Sequence, residues 1–275
     1  MKSIVFDILK ISIIQVVYTL GIIVGFGFII GLIEKRASYF IQRAIGFKGV
    51  LITGLIGTPI HEIGHFLMCI IFGHTVTEVK LLRPKACKQD GVLGYVKHSF
   101  NKNSLYQNIG NFFIAIGPLV FGSLTMFLTM KIFLSDSFNK LYNFLLNETK
   151  LVHIGGEESF FDIFKSIFNE VVKDIFNTNN LKTINFWIFL FIIISIASHM
   201  ALSKADIKGG ISGLIAIYTF SLILSIILNL ANFNIHYIYS KILVFNIFIS
   251  VFLIVALIFS FIPLIVNLIL YLIKR

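Results

Sequence analysis

Residues 50–73 read VLITGLIGTPIHEIGHFLMCIIFG. The stretch is apolar almost throughout, yet His61, Glu62 and His65 lie near its middle. A helix needs about 20 predominantly apolar residues to cross a bilayer, and this run is long enough. An acid at the bilayer centre costs roughly 2.5 to 3.5 kcal/mol on insertion scales. Something must offset the cost of two imidazoles and a carboxylate there, and a bound zinc ion can. On a helix, positions i and i+4 are about 400° apart, so His61 and His65 share one face, a turn apart. Glu62 sits beside that face, within reach of water at the metal. This H-E-x-x-H spacing matches two zinc ligands and a general base. The competing reading has the same histidines capping backbone groups or pairing with Glu62 inside a bundle.

The surrounding composition agrees with a membrane setting. Hydrophobic residues make up 57% of the 275, and charged residues only 13%, against roughly a quarter in soluble chains. The expected fold is an all-α polytopic membrane protein, a single integral domain over 1–275. Six spans are expected at 9–33, 50–73, 108–134, 183–203, 207–231 and 242–272. The last is long and should tilt or extend past the bilayer. The first is read as a retained span, because it is too long for a signal-peptide core. The net charge of +10 fits lysines and arginines flanking spans against anionic lipid. No basic-aromatic pattern of a nucleic-acid binder is present. Lysines and arginines fall almost equally on the two sides of the expected spans. The basic loop 74–107 favours the cytoplasmic side, while Lys35, Arg36, Arg43 and Lys48 argue the other way. The expected location is a multi-pass position in a prokaryotic cell membrane.

Between the second and third spans, Thr75–Leu82 and Val92–His98 read as short strands, parted by a turn containing Pro84, Asp90 and Gly91. Such a small β-hairpin could offer an edge to an unwound peptide, or could be a plain connection. Residues 135–182 form a polar amphipathic insertion. Phe160, Phe164, Ile167, Phe168, Val171 and Ile175 recur at helical spacing, which predicts a helix on the membrane surface or packed on the bundle. Cys69, in a span, and Cys87, in a loop, are not expected to pair; Cys69 reads as packing.

A catalytic zinc site needs one more protein ligand and an open position. A metzincin-type histidine is excluded, since Met68 stands where that pattern needs glycine. The best-placed acid is Asp206, where two apolar runs meet, followed by Gly209 and Gly210, which let the backbone break. His199 is the rival, as a ligand or an oxyanion stabiliser. Asn111 could steady a substrate or bond helix to helix.

The segment His61-Glu-Ile-Gly-His65-Phe-Leu, with Phe72-Gly73, Val76, Glu78, Val79 and Pro84, resembles the first motif region of the site-2 protease family of intramembrane zinc metalloproteases. Gly117-Pro118 is similar to that family's second element, and Asp206 with Gly209-Gly210 to its late aspartate-glycine motif. The resemblance covers about 60–122 and 199–213. It departs at Ile207 and Lys208, where the family has glycine directly after its aspartate, and in lacking an asparagine-proline before it. The resemblance implies one Zn2+ per chain held by His61, His65 and Asp206, with Glu62 as catalytic base. The implied activity is cleavage of a transmembrane or signal-like segment of a membrane protein or peptide. A second enzyme reading is a membrane metalloprotease of the Ste24/HtpX type, with Glu158-Ser-Phe-Phe-Asp162 supplying the third ligand from an E-x-x-x-D setting. A metal transporter or an inactive scaffold is the reading outside enzymes.

Overall fold

The computed structural model describes residues 2–153, 160–230 and 235–275. It is mostly helical, with one small two-stranded sheet. Helix α1 (Lys2–Ile45) is followed by α2 (Phe47–Ile71) across Gly46. Gly46 has φ 74°, a left-handed conformation open to glycine but costly for side chains with a Cβ, and this is where the two helices part. Beyond α2 come β1 (Thr75–Lys80), the short α3 (Cys87–Asp90) and β2 (Tyr95–Ser99). Helices α4 (Leu105–Phe133), α5 (Ser135–His153), α6 (Phe160–Ile175) and α7 (Thr178–Leu181) follow. The chain ends in α8 (Ile184–Ala197), α9 (Lys204–Leu230) and α10 (Ile235–Ile273).

Four described segments are long and apolar enough to cross a membrane: Phe47–Ile71, Leu105–Phe133, Lys204–Ile227 and Phe252–Ile273. The expected span at 183–203 is cut short. Helix α8 is apolar but has only 14 residues, and 198–203 leave it as a connection. The expected span at 9–33 falls within α1, part of whose side chains lie outside the described residues. The hairpin forms with shifted limits, pairing Thr75 with Ser99 and Lys80 with Tyr95, with a register shift between Val76 and Glu78. Its connection contains α3 rather than a bare turn. The polar insertion divides into α5, α6 and α7. Ile167, Val171 and Ile175 are buried where α6 packs on α5 and α10, whereas Phe168 is exposed. Both cysteines are free and buried.

Helix α4 is the centre of the bundle, packing against α2, α8, α9, α10 and α5. Its Leu119, Met126 and Met130 are fully enclosed, as are Phe186 and Phe189 of α8 and Phe259 of α10. Lipid tails are as apolar as the side chains, so helices associate here by close packing rather than by escape from water. Glycine supplies the closeness. A Cβ on Gly64 would stand 2.8 Å from the Gly117 carbonyl carbon and oxygen, and one on Gly213 would stand 2.2 Å from the Phe112 nitrogen. These contacts bring α2 and α9 onto the same stretch of α4.

The α2 terminus is equally specific. The His74 N–H donates to Cys69 O and the Gly73 N–H to Ile70 O, with Gly73 at φ 67°. This is the Schellman closure, which needs a residue tolerant of the left-handed region where Gly73 stands. It turns the chain straight into β1.

Replacing Gly64 by valine should push α2 off α4 and destabilise the fold by about 1 to 3 kcal/mol. Gly25 is the control, because an added Cβ there meets nothing within 4 Å. Thermal unfolding in detergent should show a clear loss for Gly64→Val and none for Gly25→Ala.

Candidate metal site

Helix α2 presents His61 and His65 on one face, as their spacing requires, and their Nε2 atoms are 3.1 Å apart. The opposite ring nitrogens are committed. His61 Nδ1 donates to His199 O at 2.7 Å, and His65 Nδ1 donates to Ile114 O at 2.8 Å. A carbonyl can only accept, so each Nδ1 carries a proton and each neutral ring keeps its lone pair on Nε2. Two lone pairs facing each other at that distance repel unless a cation or a proton lies between them.

Both carbonyl acceptors are free for a structural reason. Pro118 lies inside α4 and has no N–H, so the carbonyl four residues earlier, that of Ile114, lacks its helical donor. His199 lies just past the end of α8, where carbonyls have no partner within the helix. The Gly64–Gly117 contact brings α2 close enough for His65 to reach the Ile114 carbonyl.

Asp206 completes the cluster. Its Oδ1 is 3.4 Å from His65 Nε2. One ligand atom from each of His61, His65 and Asp206 lies within 4.8 Å of the others. Donor atoms around a tetrahedral zinc ion stand about 3.3 Å apart, so the two closest separations are of the right size. The other oxygen of Asp206 accepts the Ser203 N–H at 2.7 Å, while Ser203 Oγ accepts the Asp206 N–H at 3.1 Å. This reciprocal capping box starts α9 and fixes the carboxylate. Ser203-x-x-Asp206 was a sequence signal for this cap that the apolar pattern does not reveal.

The other sequence candidates take different places. The His199 ring turns away from the cluster, with Nε2 3.0 Å from Thr53 Oγ1; its contribution is its carbonyl. Asn111 donates to Ser212 Oγ at 3.1 Å, joining α4 to α9. Glu158 lies outside the described residues, and Asp162 is exposed on α6. Glu62 is buried beside its histidine neighbours, under the hairpin. A Cβ on Gly94 would stand 2.8 Å from Glu62 Cγ and 2.9 Å from Lys80 O, so the segment leading into β2 passes directly over the acid.

A largely apolar cleft of about 600 Å³ opens along α1, α4 and α9. Val24, Phe28, Ile116 and Ile211 line it, and Asp206 forms part of its wall.

The hairpin carries its own polar network. Glu78 sits below the usual carboxylate range because Lys97 and Tyr95 hydrogen-bond to it. On the inner face, His74 Nε2 donates to Gln107 O at 2.8 Å. The neutral His74 ring therefore accepts at Nδ1, and His98 Nδ1, 3.0 Å away, donates to it. Burial, then the nearby His74 and His65, hold His98 below the ordinary imidazole value of 6.5.

A scan against protein-family models, a search of curated proteins and a search of solved structures each returned no match.

Because its imidazole is depressed, His98 contributes stability that is fully present above its unfolded pKa, near 6.5, and is lost as pH falls below that value through its lower folded pKa. Ring-proton NMR should therefore give a His98 midpoint below that of an exposed histidine, with hairpin amide protection declining on acidification. A midpoint at or above the ordinary value would contradict the network.

Proposed function

We propose that the chain is an intramembrane zinc endopeptidase of the site-2 protease kind, acting on a transmembrane or signal-like segment of a membrane protein or peptide. One observation carries this reading: two imidazole Nε2 atoms and a carboxylate oxygen converge at 3.1 and 3.4 Å while both Nδ1 atoms are bound to carbonyls. His61, His65 and Asp206 would hold the ion. Zinc supplies Lewis acidity when bound, lowering the pKa of water towards about 7 and polarising a carbonyl.

The remaining work belongs to the chain. Glu62 accepts a proton from the attacking water, and the oxygen bonds to the scissile carbonyl carbon. Glu62 then returns that proton to the departing amide nitrogen as the C–N bond breaks. Backbone carbonyls hold both ligand rings in one tautomer throughout, so neither needs to reorient. The apolar cleft beside Asp206 suits a hydrophobic segment, and the hairpin over Glu62 shields the acid. A helical substrate hides its carbonyls in hydrogen bonds and must unwind before attack. The location that goes with this reading is a multi-pass position in a cell membrane, a prokaryotic one on the sequence reading.

Glu62→Gln should lower cleavage of a transmembrane reporter by about a hundredfold or more while leaving zinc bound. Turnover at the wild-type rate would refute Glu62 as the base. Zinc content after purification separates the two protease readings. Asp206→Ala should lose the ion and Glu158→Ala should keep it; the reverse result would favour the E-x-x-x-D arrangement.

A further inference from the structure

Glu34 lies in α1, far in sequence from every residue of the candidate site. Its Oε2 accepts the Ala201 N–H, and the Met200 N–H is directed at the same carboxylate. Ala201 also approaches Gly31, one turn earlier on α1, where an added Cβ would stand 3.9 Å from the Ala201 Cβ. Residues 198–203 connect α8 to α9; the Ser198 and His199 N–H groups still bond back to Ile194 O and Ile196 O, whereas those of Met200 and Ala201 turn to Glu34. Main-chain donors in such a connection need external acceptors where water is scarce.

This connection carries two parts of the candidate site. At one end, His199 O accepts from His61 Nδ1. At the other, Ser203 forms the capping box with Asp206. Glu34 grips the backbone between them. A carboxyl group among apolar helices is costly, and accepting hydrogen bonds from main-chain N–H groups is a direct way of offsetting that cost. Glu34 also lines the same cleft as Asp206.

We propose that Glu34 is a positioning residue. By holding the 198–203 connection against α1, it sets both the carbonyl that orients His61 and the carboxylate of Asp206. This inference rests on the metal-site reading above. Groups that orient ligands from behind typically change metal affinity by about 10- to 100-fold when removed.

The test uses the full chain in detergent, as wild type, Glu34→Ala and Glu34→Gln. Zinc affinity is read by chelator competition, and coordination by the visible spectrum of the Co2+-loaded protein. Amide hydrogen exchange is followed in the metal-free protein. Glu34→Ala should weaken zinc about tenfold or more, alter the Co2+ spectrum and speed exchange over 198–206, leaving α10 unchanged. Glu34→Gln keeps an acceptor oxygen and should restore most of the affinity. Wild-type affinity and spectrum in Glu34→Ala would overturn the proposal, as would faster exchange throughout α1 and α10, or a loss that glutamine does not repair. Failure of the wild type to bind either ion would instead count against the metal-site reading. In that case the exchange data still decide whether Glu34 restrains the connection.

Discussion

A neutral imidazole offers a lone pair at one nitrogen while the other gives its proton to an acceptor. Inside a helical bundle such acceptors are scarce, because helix carbonyls are already used by the backbone. The architecture around His61 and His65 follows from meeting that need twice. Pro118 releases the Ile114 carbonyl from within a helix, and the early end of α8 exposes the His199 carbonyl. One acceptor arises from a missing donor and the other from a missing turn. Each then requires a close helix approach: Gly64 against Gly117 on one side, Gly57 against Ser195 on the other.

One carbonyl belongs to α4 and the other to the turn after α8, while Asp206 stands in the first turn of α9. The cluster is therefore a junction of α2, α4 and the α8–α9 connection rather than a property of the H-E-x-x-H helix alone. The hairpin lies over it on the side of Glu62, and the cleft opens beside it at Asp206. These two faces differ in character. The hairpin brings tyrosine, histidine and charged groups, whereas the cleft is walled mainly by aliphatic and aromatic side chains. Glu62 thus lies under a polar cover, while Asp206 borders an apolar approach from the side.

Periodic and apolar signals were legible in the sequence. The helices around 50–73, 108–134 and 207–231, the hairpin, and the shared face of His61 and His65 all follow from spacing. So does Asp206, which stands where two apolar runs meet. The expected six spans were harder to read. The apolar character of 183–203 says nothing about the stop after Ala197, which depends on hydrogen bonds made to α1 and α2. His199 shows the same limit: an intramembrane histidine reads as a ligand, but its side chain is paired with Thr53 and its main chain serves the site. Glu34 carried no local pattern at all, since its meaning depends on a contact across 167 positions. Two signals were present in the sequence and informative: a proline four residues after a carbonyl, and a Ser-x-x-Asp start to α9.

The capping box at Ser203 and Asp206 ties the Asp206 carboxylate to the opening turn of its own helix. The acid cannot rotate away without first surrendering the main-chain N–H that it accepts. Escape of any ion held there is thereby coupled to fraying of α9, so the lifetime of the loaded state becomes a matter of helix-end dynamics as much as of bond strength.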